Sequence, residues 1–449
     1  MQKDGPDMLF SRQQLSRIIW PLVVEQLLSV LVGMVDVLMV SYVGEATVSG
    51  VSLVDSINHL VIQVLFAMTA GGTVVCAKFV GAKDRESAKR SGAQLIMITA
   101  SVMLLLSCLF LLRGRGVLKL FFGGVEADVM AAAVTYMLFT SASFPFLAVY
   151  HAIASIFRAK GNTRLSMRVS LGMNILNIIG NAICIFGLGM GVVGVALPTL
   201  VSRIAAAAAM VLFLQRPDNE LRIDSPRQAW PDKAILGQIL SIGVPSGVES
   251  GLFNLGKVML QSLVATLGTA SIAAYAVAGN LVTYLYLPGN ALGAAITTVF
   301  SQCGGAGKPE QGRIYARRLI GVNYAMLAAI CAAMILGRSF WVGLYHLSDQ
   351  SAALAEGLLL AHSAAMVIWP VAFLLPYYFR ATGRASFTMV IAITAMAVFR
   401  IGAAYLFVMI LKKNVLWVWY AMFLDWLFQV AVYGRTFLRD EKKKTVSAP

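Results

Sequence analysis

Charge is what this sequence has least of. Asp, Glu, Lys and Arg supply 13% of its 449 residues, whereas 59% are hydrophobic. A soluble domain of this length has no use for so much apolar surface, so a water-soluble globule is excluded first. Patterns that carry chemistry are missing as well. No HExxH, GxSxG, Walker loop, CxxC or dinucleotide fingerprint stands in a usable context. No catalytic residue and no metal ligand is therefore assigned, no enzyme is expected, and nothing powers the chain by ATP. The five cysteines (Cys76, Cys108, Cys184, Cys303, Cys331) lie within or at the ends of apolar runs, without metal-ligand spacing, and read as small apolar helix residues. His151, His346 and His362 form no pattern.

Cations outnumber anions, 36 Lys+Arg against 21 Asp+Glu, for a net charge of +15. Such a surplus can mark a nucleic-acid binder, but here no basic patch is interleaved with aromatics. The cations sit in short loops between apolar runs, which is a membrane-topology signal. The bilayer, not nucleic acid, is the expected partner.

Apolar runs long enough to span a bilayer fall near 15–42, 48–75, 92–113, 129–156, 164–187, 190–214, 236–265, 271–301, 315–337, 355–379, 386–411 and 413–435, numbered here as spans 1 to 12. The first run is too long for a signal-peptide core and has no small-residue cleavage pattern, so it reads as a retained span. Alternate loops differ in charge. One set holds Lys78, Lys83, Arg85, Lys89 and Arg90, then Arg158, Lys160, Arg164 and Arg168, then the linker and further basic loops as far as Lys442 to Lys444. The other set is nearly free of cations; its exceptions are Arg113, Arg115, Lys119, Arg338, Lys412 and Lys413. By the positive-inside rule both termini are cytoplasmic, which requires an even number of spans. A multi-pass protein of the plasma (inner) membrane is expected.

The chain also repeats itself. Shifted by 224 residues, "PLVVEQLL" (21–28) meets "PSGVESGL" (245–252), pairing Pro21 with Pro245 and Glu25 with Glu249. The same register takes "GAKDRE" (81–86) to "GAGKPE" (305–310), and at 222 "FRAKGNTR" (157–164) meets "FRATGRAS" (379–386). Six spans per half is an even number, so both halves enter from the same side. The expected fold is an all-α polytopic membrane protein with twelve transmembrane helices in two six-helix lobes related as a parallel repeat. The boundaries are 1–214 for the N-lobe, 215–235 for a cytoplasmic linker, 236–436 for the C-lobe and 437–449 for a basic cytoplasmic tail.

Polar residues inside the spans fall on helical stripes. An intramembrane charge is costly, so it faces the bundle or a water-filled cavity. Span 1 carries Gln26, Ser29, Gly33 and Asp36, with Glu25 three turns from Asp36 on the same face. Span 2 carries Asp55, His59 and Gln63, with His59 read as a neutral hydrogen-bonded residue. Span 5 carries Asn174, Asn177 and Asn181, and span 7 carries Ser250, Asn254, Lys257 and Gln261. Glu25 recurs as Glu249, which suits a tie within each half. Asp36 does not recur, since Leu260 stands in its place, and a carboxylate in one half suits ion coupling. Lys257 either pairs with Asp36 or Asp55 in one state or stands solvated. Arg400 and Asp425, on adjacent antiparallel spans, read as a buried structural pair.

These stretches, with "GGTVVCAKFVGAKD" (71–84) and "NILNIIGNAICIFGLGMGVVG" (174–194), resemble the prokaryotic branch of the multidrug and toxic compound extrusion (MATE) family. The resemblance implies two six-helix bundles in a V around a central cleft. It also implies export of small cationic amphiphiles in exchange for protons or sodium ions, with no cofactor beyond the coupling ion and with the protein acting as a monomer. Asp36 matches the family's span-1 aspartate and Asn177 its span-5 asparagine. Asn181 departs, because many members have aspartate there, and span 10 lacks an acid that some sodium-coupled members carry. Asp36, Asp55, Asn174, Asn177 and Asn181 are thus the cation-coupling candidates. Gln26, Ser29, His59, Gln63, Ser250, Asn254, Lys257 and Gln261 are the substrate-cleft candidates. Lys78 stands where the second half has Gln302 and the family usually has glutamine. A flippase of a lipid-linked precursor is the alternative with a similar architecture; it would need a strongly cationic cavity. An intramembrane enzyme or receptor has no constellation to support it.

Overall fold

The computed structural model describes residues 8–445, and among these it is helical with no strand. The chain ends beyond them, 1–7 and 446–449, and the side chains of Lys442 to Lys444 lie outside the described residues, so the expected basic tail is described only in part.

Among the described residues ten helices are long and apolar enough to cross a bilayer: Arg12–Ser41, Glu45–Gly81, Arg85–Phe122, Ala127–Ala159, Thr163–Gly187, Val193–Leu214, Thr269–Gly305, Pro309–Leu336, Ala385–Ile410 and Val415–Asp440. An eleventh span is broken: Asp349–Ala365 and Trp369–Ala381 meet at 56°. Pro370 opens the second piece and offers no N–H to carry the first helix through. Span 7, Lys233–Ala265, completes twelve. Its 33 residues rise about 50 Å, and Glu249, Asn254, Lys257 and Gln261 interrupt its apolar run. Two departures from the expected spans have local causes. Span 3 runs nine residues past its apolar stretch, so the exceptional cations Arg115 and Lys119 ride on a helix extension rather than a loop. A short helix, Arg338–Gly343, precedes span 10, and Arg338 lies 3.5 Å from Glu356.

The helix ends follow from local chemistry. Ser11 and Gln14 form a reciprocal capping box at the start of span 1, and Asp84 and Asn162 cap spans 3 and 5. The Asp84 carboxyl, accepting from Ser87, is held below the usual carboxylate range. The repeat shows in the turns as well. Gly44 and Gly268, Lys83 and Gly307, and Gly161 and Gly383 all take positive φ, each pair in the registers read from the sequence. Lys83 accepts at +60° what a glycine does in the other half.

The chain forms two compact units, Met1–Gly247 with Ser301–Pro309, and Val248–Phe300 with Glu310–Pro449. The division between these units falls inside span 7. The first unit has its core between spans 2, 3, 4 and 6, around Leu65, Met137, Phe144, Ile153 and Met210. It also takes in the start of span 7 and the end of span 8 at glycine contacts. A Cβ on Gly71 would overlap the Ile239 carbonyl, one on Gly81 the Gln302 carbonyl, and one on Gly305 the Lys78 carbonyl. Gly81 and Gly305 are repeat mates, as are Lys78 and Gln302, so this crossing is reciprocal. It uses the backbone of Lys78, whose side chain is exposed, while Gln302 Nε2 donates to the Ala159 carbonyl at 2.5 Å. That is why a lysine fits where glutamine was expected.

The second unit has its own core around Leu260, Leu285, Leu358, Trp369, Trp419 and Trp426. Leu105, Leu112, Leu212 and Val367 are each more than 70% exposed, a surface suited to lipid tails rather than water.

The linker is more ordered than its prolines suggest. Glu220 meets Lys160 at 3.1 Å and Arg85 at 3.2 Å, and Asp232 lies 3.9 Å from Arg90. Leu221 is buried beneath them. Lys160 and Arg85 hold the Glu220 carboxyl below its usual range. The basic loops of the first half thus carry their own acidic strap.

Candidate functional site

The first unit holds a partly open cavity of about 420 Å³ with mixed polar and apolar walls. Asp36 reaches it five residues before span 1 ends, and Asp55 enters from span 2. Span 5 contributes Asn174, Asn177 and Asn181, span 4 contributes Tyr136, and span 6 contributes Thr199, Ser202 and Arg203. Valines 37, 40, 48, 51 and 195 wall it. All five cation-coupling candidates therefore line one space. Helical spacing explains the gathering: Gly33 and Asp36 on one helix, and Asn174, Asn177 and Asn181 on another, recur at three- and four-residue steps.

The cavity is wired by amides. Asn181 Nδ2 donates to Asp36 Oδ1 at 3.1 Å and lies 3.4 Å from Asn177 Oδ1; Asn177 Nδ2 donates to Thr199 Oγ1 at 3.2 Å. Asp55 Oδ1 accepts from Asn58 Nδ2 and Tyr136 Oη, both at 3.3 Å. Asn181 Oδ1 is buried with no hydrogen-bond partner, so this amide has unused acceptor capacity beside Asp36. Arg203 Nη1 donates to Ser143 Oγ of span 4 at 2.6 Å. Among the described residues no carboxylate lies within 4 Å of that guanidinium, so it acts on Asp36 and Asp55 across the cavity rather than through a bonded pair. Carboxylates with adjustable amide partners and a fixed cation can hold and release one small cation.

Arg203, Tyr136 and Thr199 were not legible as site residues. Arg203 is the one charge in the run 190–214, and the rule that singled out Asp36 applies to it equally. Tyr136 and Thr199 blend into their apolar runs, and only packing shows where they point.

The other candidates are placed elsewhere. Gln26 and Ser29 lie on span 1 outside the cavity lining, and His59 and Gln63 touch each other at 3.4 Å on an exposed face of span 2. In span 7, Asn254 Nδ2 donates to its own helix at the Ser250 carbonyl, and Gln261 is exposed. Lys257 Nζ stands 5.3 Å over the Phe253 ring, with the Arg400 guanidinium 5.2 Å from the same ring. Arg400 is paired with Asp425 at 2.6 Å, both buried, and Gln429 Nε2 donates to the remaining carboxylate oxygen at 2.7 Å. Glu25 lies 3.7 Å from Arg158, and Glu249 lies 2.6 Å from Arg380. Arg158 and Arg380 are themselves repeat mates. Each half therefore joins its first span to its fourth by the same partly buried pair.

Two equivalent helical halves that together cross the bilayer twelve times, one of them holding a polar cavity, make a multi-pass membrane transporter. Residues 21–183 match the MatE family model, and residues 245–406 match it again, starting 224 residues later in the register of the internal repeat. The chain belongs to this family, the MATE multidrug efflux transporters. It is similar to the uncharacterized transporter YisQ of Bacillus subtilis, at 25% identity over 93% of this chain and 92% of that one. It is also similar to the multidrug export protein MepA of Staphylococcus aureus, at 24% identity over 84% and 83%. Among solved structures, a MATE protein in the bent conformation superposes with a TM-score of 0.90 at 20% identity, covering 98% of this chain and 97% of that one.

Proposed function

We propose that the protein is a secondary antiporter that exports small cationic amphiphiles in exchange for protons or sodium ions by alternating access. It would sit as a monomer in the plasma membrane with both termini cytoplasmic. The observation that carries this reading is Asp36, held in the first-half cavity by Asn181 at 3.1 Å, with Leu260 at the matching position of the second half. Facing outward, Asp36 takes up the coupling ion, and the loss of its charge disfavours a cationic substrate. Facing inward, it releases the ion, and the restored charge favours loading. The test is transport of an organic cation by proteoliposomes under imposed proton and sodium gradients. Asp36→Asn should fold and fail to transport; gradient-driven efflux at the normal rate would sink the reading.

A second reading, flipping of a lipid-linked anionic precursor, draws on Lys257 and Arg400 beside Phe253. Arg400 is already neutralised by Asp425, so of these two cations Lys257 alone would remain to meet a diphosphate. Transport of organic cations with no movement of a phosphate-bearing lipid separates the two.

A further inference from the structure

The first-half cavity contains an ionised group that the coupling scheme does not use. Every charged or titratable side chain lining it can be named: Asp36 from span 1, Asp55 from span 2, Tyr136 from span 4 and Arg203 from span 6, with only neutral amides from span 5. We propose that Arg203 is a built-in counter-cation that sets both the identity and the number of the coupling ion: one proton, not sodium. This rests on the reading that Asp36 takes up that ion.

The argument is one of charge and ligands. With both carboxylates ionised and Arg203 permanently charged, the cavity carries a net charge of −1. One proton on Asp36 brings it to neutrality, and a second cation would make an apolar-walled space positive, which is costly. A sodium ion needs several oxygen ligands converging on one point. Here Asn181 turns its Nδ2 toward Asp36, and Asp55 spends its Oδ1 on Asn58 and Tyr136. A guanidinium held in place by Ser143 at 2.6 Å already occupies the cationic role. The Asn181 amide suits a proton better. It donates to the ionised carboxylate as found, and turned over it presents the unpartnered Oδ1 as acceptor for the protonated form. An aspartate at that position could not donate to the ionised state.

The experiment uses the full-length protein in proteoliposomes, with a fluorescent organic cation and either a proton or a sodium gradient, alongside calorimetric titration with sodium chloride against choline chloride. The unaltered protein should run on the proton gradient alone and bind no sodium. Arg203→Gln leaves a net charge of −2 and should show sodium binding that the unaltered protein lacks, while losing proton-driven rate. Arg203→Lys should keep the original preference. Arg203→Gln with Asp55→Asn returns the net charge to −1 and should restore proton coupling. Sodium-driven transport by the unaltered protein, or an unchanged ion preference in a folded Arg203→Gln, overturns the proposal. Its failure is distinct from that of the antiport reading: normal transport by Asp36→Asn sinks both, whereas loss in Asp36→Asn with no effect of Arg203→Gln sinks the counter-cation alone.

Discussion

The two halves of this chain share a skeleton and differ in their charge. Both tie the first span to the fourth with Glu–Arg, Glu25 to Arg158 and Glu249 to Arg380. Three positive-φ turns recur in both. Yet the first half has Asp36 and Asp55 around a cavity, where the second has Leu260 and Gly279 in the 224-residue register. Leu260 is buried in the second unit's apolar core, and the fully buried Asp425 there is closed off by Arg400 and Gln429. Duplication thus preserved what holds a bundle together, while Asp36 and Asp55 face a shared cavity in the first copy and have no carboxylate counterpart in the second.

The largest effect that would break this comparison is at Asp36. Asp36→Asn should abolish gradient-driven efflux, whereas Leu260→Asn should leave ion coupling in place and cost stability by burying an amide, by about 1–3 kcal/mol. Transport and thermal unfolding of the two purified variants check this. Next come the reciprocal glycines. Gly305→Val places carbon against the Lys78 carbonyl and Gly81→Val against the Gln302 carbonyl, so each should lower stability by about 1–3 kcal/mol and slow transport severely. Similar losses in both variants would support a symmetric crossing, and normal transport in either would refute it.

The buried ties should be unequal. Glu249→Gln breaks a 2.6 Å pair and Glu25→Gln a 3.7 Å one. The first should cost about 3 kcal/mol and the second less, read as melting temperatures in detergent; an equal loss would mean the distances do not matter. Smallest is the strap. Glu220 is about half exposed, so Glu220→Gln should cost no more than about 1 kcal/mol. Because its carboxyl is held low by Lys160 and Arg85, the contribution is present at neutral pH. It is lost only as pH falls from the usual carboxylate range through the depressed value. A melting difference between variant and parent that grows as pH rises from 6 to 8 would contradict this.

Much of this was legible without coordinates, for physical reasons. Apolar runs and alternating loop charge yield the span count, because lipid tolerates neither unpaired backbone nor stray cations. The register carried by Glu25 and Glu249 announces the duplication, and stripes at helical spacing brought out Asp36 and the span-5 asparagines. What stayed hidden are relations between distant segments. Arg203 is one charge in an alanine-rich run until span 6 packs against spans 4 and 5 and turns it into the cavity. The strap looked like loose linker until Glu220 met Lys160. Lys78 made no sense until its carbonyl was seen against Gly305.

Periodicity and hydropathy are properties of neighbours three and four residues apart, so the sequence alone determines which residues share a helix face, how many helices cross and that the chain is two copies of one plan. Which faces meet depends on side-chain volume and on the glycines that let backbones approach, and these act only when the helices pack. Tertiary structure alone therefore decided that two carboxylates, three asparagines and one arginine share a single cavity.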